Sequence, residues 1–456
     1  MSETVDVVII GGGFAGLSAA IEAKLKGKNV VVLEKMARIG GNSVISDGGI
    51  AAANTDLQEK YKIEDSIEMM KEDILIAGKY RNDTKLVDVL VNHAKDAFIW
   101  TRDFLGVEYS DRVDIFGGHS VPRCYTPKNV TGRDLIKALE KKCMELEVDI
   151  RTKILVEDFI VVDDIFEGVK IVENYQYPKE TDGELKELYA KDGIVFATGG
   201  YGRNQTLIKR FKKEFIDLDS TNKPSADNHL LEKLLDYPIK MVDLDQVQLL
   251  PSTSIDEKGF GDGSLFGDYV VFPLGILLDP KTMRRFTSEL IDRGRLSEEM
   301  MNIGNYVIGL ADQDAVDMAG WDISKAIKKG VVKKYHSLEE VAVAFEGSLE
   351  NLKETLKRYN TFIEEGVDRD FDKSLTNHRK IKHPPYYVMR MRPKIHHTMG
   401  GLKISEKGQV MSINHTPVKK LYAAGETAGG IHGAARLGSM AVTDCVVYGR
   451  IVGQSF

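Results

Sequence analysis

Residues 5–16 read VDVVIIGGGFAG, and this stretch decides the fold. Its first six residues are mostly β-branched and read as a buried strand of a parallel sheet. Gly11, Gly13 and Gly16 then complete a GxGxxG spacing. The first glycine permits a tight turn, the second lets the backbone approach a pyrophosphate, and the third packs helix on strand. The Ala-rich run SAAIEAKLKG predicts a helix ending at Gly27, and NVVVLEK (29–35) predicts a second strand ending on Glu34 and Lys35. Glu34 is placed for a ribose diol, and the helix N-terminus faces the phosphates. Strand, glycine turn, helix, strand and acid together make a βαβ dinucleotide-binding unit.

Three more glycine-lined segments work outward from it. RIGGNSVISDGGI (38–50) follows the acid with two glycine pairs, Gly40–Gly41 and Gly48–Gly49. ATGG (197–200) ends another predicted strand, and AAGETAGG (423–430) is a third strand-then-glycine segment with Glu426 able to reach a ribityl chain. Ordinary turns explain any one of these but not all of them together. Several glycine walls around one ligand point to FAD rather than NAD.

At 456 residues the chain needs two or three domains. Hydrophobic residues at 43% and charged residues at 29% suit a soluble globular protein, and a net charge of −7 argues against nucleic acid as the main partner. Cys124, Cys143 and Cys445 form no CxxC or Cys/His cluster, so no metal site is expected and a c-type haem motif is missing. No run reaches the roughly 18 apolar residues of a membrane span. No secretory leader is visible. The expectation is a cytoplasmic protein, or a periplasmic one if a leader was removed.

Beyond the βαβ unit, 131–148 has helical spacing, and IRTKILVEDFIVVDD, GVKIVENYQ and DGIVFATGG read as strands interrupted by a charged loop or hairpin edge at 178–192. Between 245 and 390 short apolar pieces give way to helical stretches, and glycine-rich character returns after 395. The expected architecture is α/β: a discontinuous Rossmann-like FAD domain (1–244 and 396–456) with an inserted α+β capping domain (245–395).

One stretch stays unexplained by the dinucleotide site. KIHHTMGG (394–401) sets two of the ten histidines side by side before a hydroxyl and two glycines. Neighbouring side chains on an extended chain point to opposite faces, so one histidine at most faces a given site.

Taken together, GGGFAG, GGNSVISDGG (40–49), GGHSVPR (117–123), FATGG, RRFTSELIDRG (284–294), HHTMGG and GETAGGIHGAARLGSMA (425–441) resemble the flavoproteins of the fumarate reductase and succinate dehydrogenase family. The closer resemblance is to the soluble flavocytochrome-type fumarate reductases and their acrylate-, methacrylate- and urocanate-reducing relatives, without the haem domain. It covers essentially the whole chain and implies reduction of the C=C bond of an α,β-unsaturated carboxylate, with hydride from flavin N5. It further implies that His397 and Arg436 bind the substrate carboxylate, with Thr398 beside them, and that Arg293 is the active-site acid. A planar guanidinium suits bidentate carboxylate binding. An arginine acid is unusual, since a guanidinium gives up its proton only to a strong base. Arg295, two residues on, leaves a helix-face salt bridge as the plain alternative for Arg293.

The same resemblance implies a cofactor set. It comprises Gly11, Gly13, Phe14, Ala15 and Gly16 at the first turn, and Glu34 and Lys35 after the second strand. Gly41, Asn42, Ser43, Gly48 and Gly49 follow, then Val156, Thr198, Gly199 and Gly200. Gly425, Glu426, Arg436, Ser439, Met440 and Ala441 complete it. FAD is expected to be non-covalent, because Asn42-Ser43-Val44 lacks the histidine through which membrane-bound members attach it. Electrons must come from a separate donor: a cytochrome, a flavoprotein or reduced flavin.

Departures from the fumarate pattern fall at the far end of the substrate. Gln248 stands where a histidine would bind a second carboxylate, Asp268 replaces a threonine, and Tyr269 and Phe272 replace a proton-relaying glutamate and arginine. An aspartate facing a second carboxylate would repel it by several kcal/mol. A non-fumarate enoate is therefore expected, such as urocanate or an apolar acrylate, with fumarate as the runner-up. A flavin-dependent oxidase or dehydrogenase is the rival of another class, and a non-catalytic subunit is disfavoured by the presence of Arg293 and Arg436. His119 is read as shaping the flavin wall and His432 as structural or functional with equal weight.

Overall fold

A computed structural model describes residues 3–179, 185–375 and 379–456. The chain divides into two compact units: residues 1–216, 223–248 and 397–456 form the first, and 217–222 with 249–396 the second.

The first unit is built on the strand Glu3–Ile10, whose Val7, Val8 and Ile9 are fully buried. It is flanked in parallel by Val30–Glu34 on one side and Lys186–Phe196 on the other. Asp149–Thr152 extends the sheet beyond Val30–Glu34, and Pro417–Ala423 extends it beyond Lys186–Phe196, both in parallel register. Its centre is covered on both faces, which is why residues 7–10 and the strand Val30–Glu34 are continuous buried runs. The helices Phe14–Leu25 and Met440–Gln454 lie together, with Arg450 donating to Glu22 at 2.7 Å. The helix expected in 131–148 runs Gly132–Glu145.

The hairpin Leu155–Val162 and Ile165–Val172 joins this sheet antiparallel to the start of Lys186–Phe196. Of the two readings of the charged tract, loop or hairpin edge, the second describes its C-terminal part, which pairs antiparallel with Ile165–Val172. Residues 180–184 lie outside the described residues, but 186–191 are strand. Leu188 and Ala190 are buried while Glu187 and Lys191 are exposed, an alternation that a run of lysines and glutamates concealed.

The second unit holds a four-stranded antiparallel sheet in the order Ile276–Leu278, Val307–Ala311, Tyr386–Met391, Val332–Tyr335. Two apolar clusters line it, one around Val270, Val271 and Met300, the other around Leu352, Leu356 and Tyr359. Helices Leu338–Ala344 and Leu349–Glu365 match the apolar spacing of their sequences, each opened by a serine whose hydroxyl caps the third helical N–H. Among the described residues, no helix is long and apolar enough to cross a membrane.

Candidate active site

In the first unit, the turn after Glu3–Ile10 opens into a cleft of about 970 Å³. Gly11 adopts φ +108, and a Cβ there would lie 2.3 Å from the Ala197 carbonyl. A Cβ on Gly16 would lie 2.0 Å from the Gly11 carbonyl, so this glycine sets how closely helix and turn pack. Gly13 starts the helix Phe14–Leu25 with no side-chain cap and no acid in the first turn. The helix end thus presents its N–H groups to the cleft, as an anion site requires. Phe14 N–H is engaged from the side, by Ser43 Oγ at 3.2 Å.

Glu34 lies at the strand end, buried, accepting from Gly12 N–H at 3.2 Å and Met36 N–H at 2.9 Å. Burial raises its pKa above the usual carboxylate range, against those hydrogen bonds and Lys35. Lys35 pairs with Asp227 at 2.5 Å. The lining also includes Gly11, Gly13, Phe14, Ala15, Gly41, Asn42, Ser43, Val156, Thr198, Gly199, Gly425 and Glu426 from the sequence-derived set. Donor-rich helix end, glycine walls and buried acid fit FAD, and these residues would hold it.

Gly16, Gly48, Gly49, Gly200, Arg436, Ser439, Met440 and Ala441 are not among the lining residues. Gly200 lies against Glu426 and Thr398, and Gly49 against Ser439, which precedes the helix Met440–Gln454. Ser225–Leu230 was missed by sequence. Four of its residues besides His229 and Asp227 carry no motif, yet Ser225, Ala226, Asn228, His229 and Leu230 line the cleft. Asn228 takes φ +39, accepts from Thr198 Oγ at 2.8 Å and donates to the Gly199 carbonyl at 2.7 Å. His229 Nε2–H donates to the Val156 carbonyl at 2.9 Å. The one available signal was an asparagine, a residue that tolerates a left-handed backbone, at a helix start.

Glu426 connects the cleft to the HHTMGG strand, Lys394–Thr398. Its Oε1 accepts from Thr398 N–H at 3.0 Å and lies 3.6 Å from His397 Nδ1. Burial raises the Glu426 pKa, opposed by Thr398 and by Arg436. The paired histidines separate as an extended chain dictates: His396 Nδ1 meets Thr221 Oγ at 2.8 Å, while His397 meets Glu426. The His397 ring also stands edge-on to His432 at 5.8 Å, and His432 Nε2 is 3.2 Å from Asp444. Arg436 is buried, and its Nη1 donates to the Leu437 carbonyl at 2.9 Å. Gln248 turns its amide onto the Arg436 main chain, donating to the carbonyl at 3.1 Å and accepting from the N–H at 3.4 Å. The Gln248 amide thus holds the main chain of Arg436 from both its N–H and its carbonyl.

In the second unit, a π-turn at Gly267–Val271 precedes Phe272–Leu274 and the strand Ile276–Leu278. Asp268 lies on that turn, 3.9 Å from Arg293, and both side chains keep about a fifth of their surface, 22% and 23%. Arg293 opens the helix Arg293–Ile303 behind the Asp292 cap. The helix-face salt bridge belongs to its neighbour: Arg295, 67% exposed, pairs with Glu299 at 3.0 Å. Tyr269 packs on Trp321 with ring centroids 4.2 Å apart, and Phe272 is buried in the apolar cluster.

His119 is buried in the first unit, and its Nε2–H donates to the Gly438 carbonyl at 2.9 Å. Burial lowers its pKa to about 4, Arg123 adds to this, and the Gly438 carbonyl, Asp73 and Asp65 oppose it. A histidine depressed in the folded state costs stability as pH falls below its ordinary value, because the unfolded chain takes up the proton first. We expect stability to fall by roughly 3 kcal/mol between pH 6.5 and 4 on this account. His119→Gln should remove that part of the acid slope, measured by denaturant midpoints at stepped pH. Parallel slopes for both proteins would refute the assignment.

A model of the FAD binding domain family matches residues 6–442. Over 455 residues the chain is 34% identical to an acrylate reductase flavoprotein subunit of Shewanella woodyi, covering 98% of this chain and 90% of that one. It is 31% identical to a urocanate reductase of Eggerthella lenta, covering 100% of this chain and 75% of the relative. The solved structure of a flavocytochrome c3 fumarate reductase in an open conformation superposes with a TM-score of 0.81 at 29% identity, covering 99% of this chain and 78% of that one.

Proposed function

Since the chain belongs to the FAD-binding family of acrylate, urocanate and fumarate reductases, we propose that it is a reductase of a monocarboxylic enoate. It is an FAD-dependent oxidoreductase acting on the C=C bond of an α,β-unsaturated carboxylate. The observation that supports the site is the convergence of buried His397 and Arg436 on Glu426, which lines the cofactor cleft. Two cationic or N–H-donating groups there suit a substrate carboxylate, and they stabilise the charge that develops on it when the alkene is reduced. Bound reduced FAD supplies the hydride. In this reading Arg293 provides the proton for the α-carbon, and residues 245–395 act as the capping domain.

The second-unit geometry supports a monocarboxylate. Asp268 lies against Arg293, so the pair carries no net positive charge to offer a second substrate carboxylate. Two like charges about 4 Å apart repel by about 4 kcal/mol at an effective dielectric near 20. An uncharged or N–H-bearing substituent, such as a hydrogen, an apolar group or an imidazole, avoids that repulsion.

The test is anaerobic oxidation of a reduced viologen, which stands in for the separate electron donor this reading requires. Acrylate, methacrylate, cinnamate, urocanate and fumarate are compared. We expect one of the monocarboxylic enoates to exceed fumarate in kcat/KM by about 100-fold or more. Fumarate as the best substrate would make the chain a fumarate reductase and overturn the reading of Asp268. Inactivity on all five would move the assignment to the oxidising direction.

A further inference from the structure

We infer that His119 and Gln248 are positioning residues that clamp Arg436 from two sides, so that its guanidinium is held for the substrate carboxylate. This rests on the reading of Arg436 as the carboxylate-binding group. An arginine side chain is long and rotamer-rich, and a backbone that wanders carries the guanidinium with it. Arg436 sits in a loop of small residues, Gly433-Ala434-Ala435 before it and Gly438 after it, so what fixes that backbone is contact with its surroundings rather than its own side chains.

Gln248 supplies one jaw. Its amide is a main-chain mimic, engaging both the N–H and the carbonyl of Arg436. His119 supplies the other jaw, two residues on, through the Gly438 carbonyl. The turn that carries it is fitted to the same loop. A Cβ on Gly118, at φ +93, would lie 2.5 Å from Leu437, and a Cβ on Gly438 would lie 2.6 Å from Phe116. Residues 116–119 and 437–438 are thus in van der Waals contact as well as hydrogen-bonded.

The tautomer of His119 is set from behind. Arg123 Nη1 approaches His119 Nδ1 at 3.4 Å, and a guanidinium can only donate, so Nδ1 accepts and Nε2 carries the hydrogen that reaches Gly438. Arg123 is itself fully buried, forked onto Asp65 at 2.9 and 2.8 Å and paired with Asp73. Asp73 also accepts from the Ser120 N–H and hydroxyl at 2.8 Å each. The motif GGHSVPR thereby acquires a role beyond shaping a wall: it anchors the arginine loop to the helix Ile67–Ala77 through a chain of charge-assisted hydrogen bonds.

The measurement is the Kd of the oxidised holoenzyme for the enoate best turned over in the viologen assay, read from the perturbation of flavin absorbance. His119→Ala, His119→Gln and Gln248→Leu are each made alone and with Arg436→Met. We expect His119→Ala and Gln248→Leu to weaken binding about tenfold with flavin content unchanged. His119→Gln, whose amide N–H reaches the same carbonyl, should stay within about twofold. In the Arg436→Met background both losses should shrink to within about twofold, because nothing remains to be positioned. If Arg436→Met leaves Kd unchanged, the carboxylate-binding reading fails. If Arg436→Met weakens binding while His119→Ala and Gln248→Leu do not, or weaken it equally in both backgrounds, the clamp is refuted. Should His119→Ala give no folded holoenzyme, the Gln248→Leu cycle decides.

Discussion

Arg293→Gln should lower kcat by about 10³-fold, with enoate Kd and flavin content within about threefold of wild type. Glutamine keeps planarity and an N–H donor toward Asp268, 3.9 Å from the native guanidinium, but it has no proton to give up. If Arg293 has the proposed role, the loss falls on the step in which the α-carbon is protonated. Arg295 provides the internal control. It lies two residues on, is exposed, and is satisfied by Glu299, so Arg295→Gln should leave kcat within about twofold. A kcat within tenfold of wild type for Arg293→Gln would remove it from the chemistry. A loss shared equally by Arg295→Gln would mean that the helix Arg293–Ile303, rather than one guanidinium, is what activity requires.

Much of this arrangement could be read from sequence because the signals are local. A glycine at φ +108 whose Cβ would strike a carbonyl is a backbone requirement written in one letter, and Gly11, Gly13 and Gly16 place the turn, the helix and the adjoining strand at once. The cleft residues that remained hidden lack such a requirement. Ser225–Leu230 reaches the cofactor wall through tertiary packing, with Asp227 against Lys35 and Asn228 against Thr198, and no periodicity marks a segment that is neither strand nor glycine turn. Gln248 shows a different limit. Its position in the chain was legible, but the partner of its side chain was not, because 188 residues separate it from the Arg436 main chain it holds. The same holds for Asp268. Sequence gave its proximity to an expected site, while only the π-turn at Gly267–Val271 shows that its carboxylate meets Arg293.

Lys373→Met should destabilise the second unit by about 3–5 kcal/mol. Lys373 is completely buried, donating to the Gly275 carbonyl at 2.7 Å and pairing with Glu289 at 3.1 Å. Glu289 also binds Arg285 and the Leu277 N–H, and Arg285 binds Asp368 at 2.9 Å. Burial alone would raise the Glu289 pKa, but Lys373 and Arg285 outweigh it and hold the carboxyl below its ordinary value. Burial lowers the Lys373 pKa against the pull of Glu289. Two cations and two anions are thus sealed together, and removing one cation leaves a carboxylate buried without full compensation. Removing both members of a pair is less damaging than removing one, so Lys373→Met with Glu289→Leu should recover part of the loss despite being the larger change.

The readout must report the second unit by itself, since a two-unit chain need not unfold in one step. Trp100 and Trp321 are the two tryptophans, one in each unit, so a Trp100→Phe background makes fluorescence a probe of Trp321 alone. A shift in the urea midpoint worth less than about 1 kcal/mol would show the cluster to be dispensable. The functional consequence follows from what the cluster ties together. Gly275 and Leu277 directly follow the turn that carries Asp268, while Arg285 and Glu289 lead into Arg293. A full loss of stability with kcat preserved in the remaining folded enzyme would make the cluster a scaffold only. A parallel fall in kcat at temperatures where the second unit stays folded would show that these buried charges also fix the geometry of the Asp268–Arg293 pair.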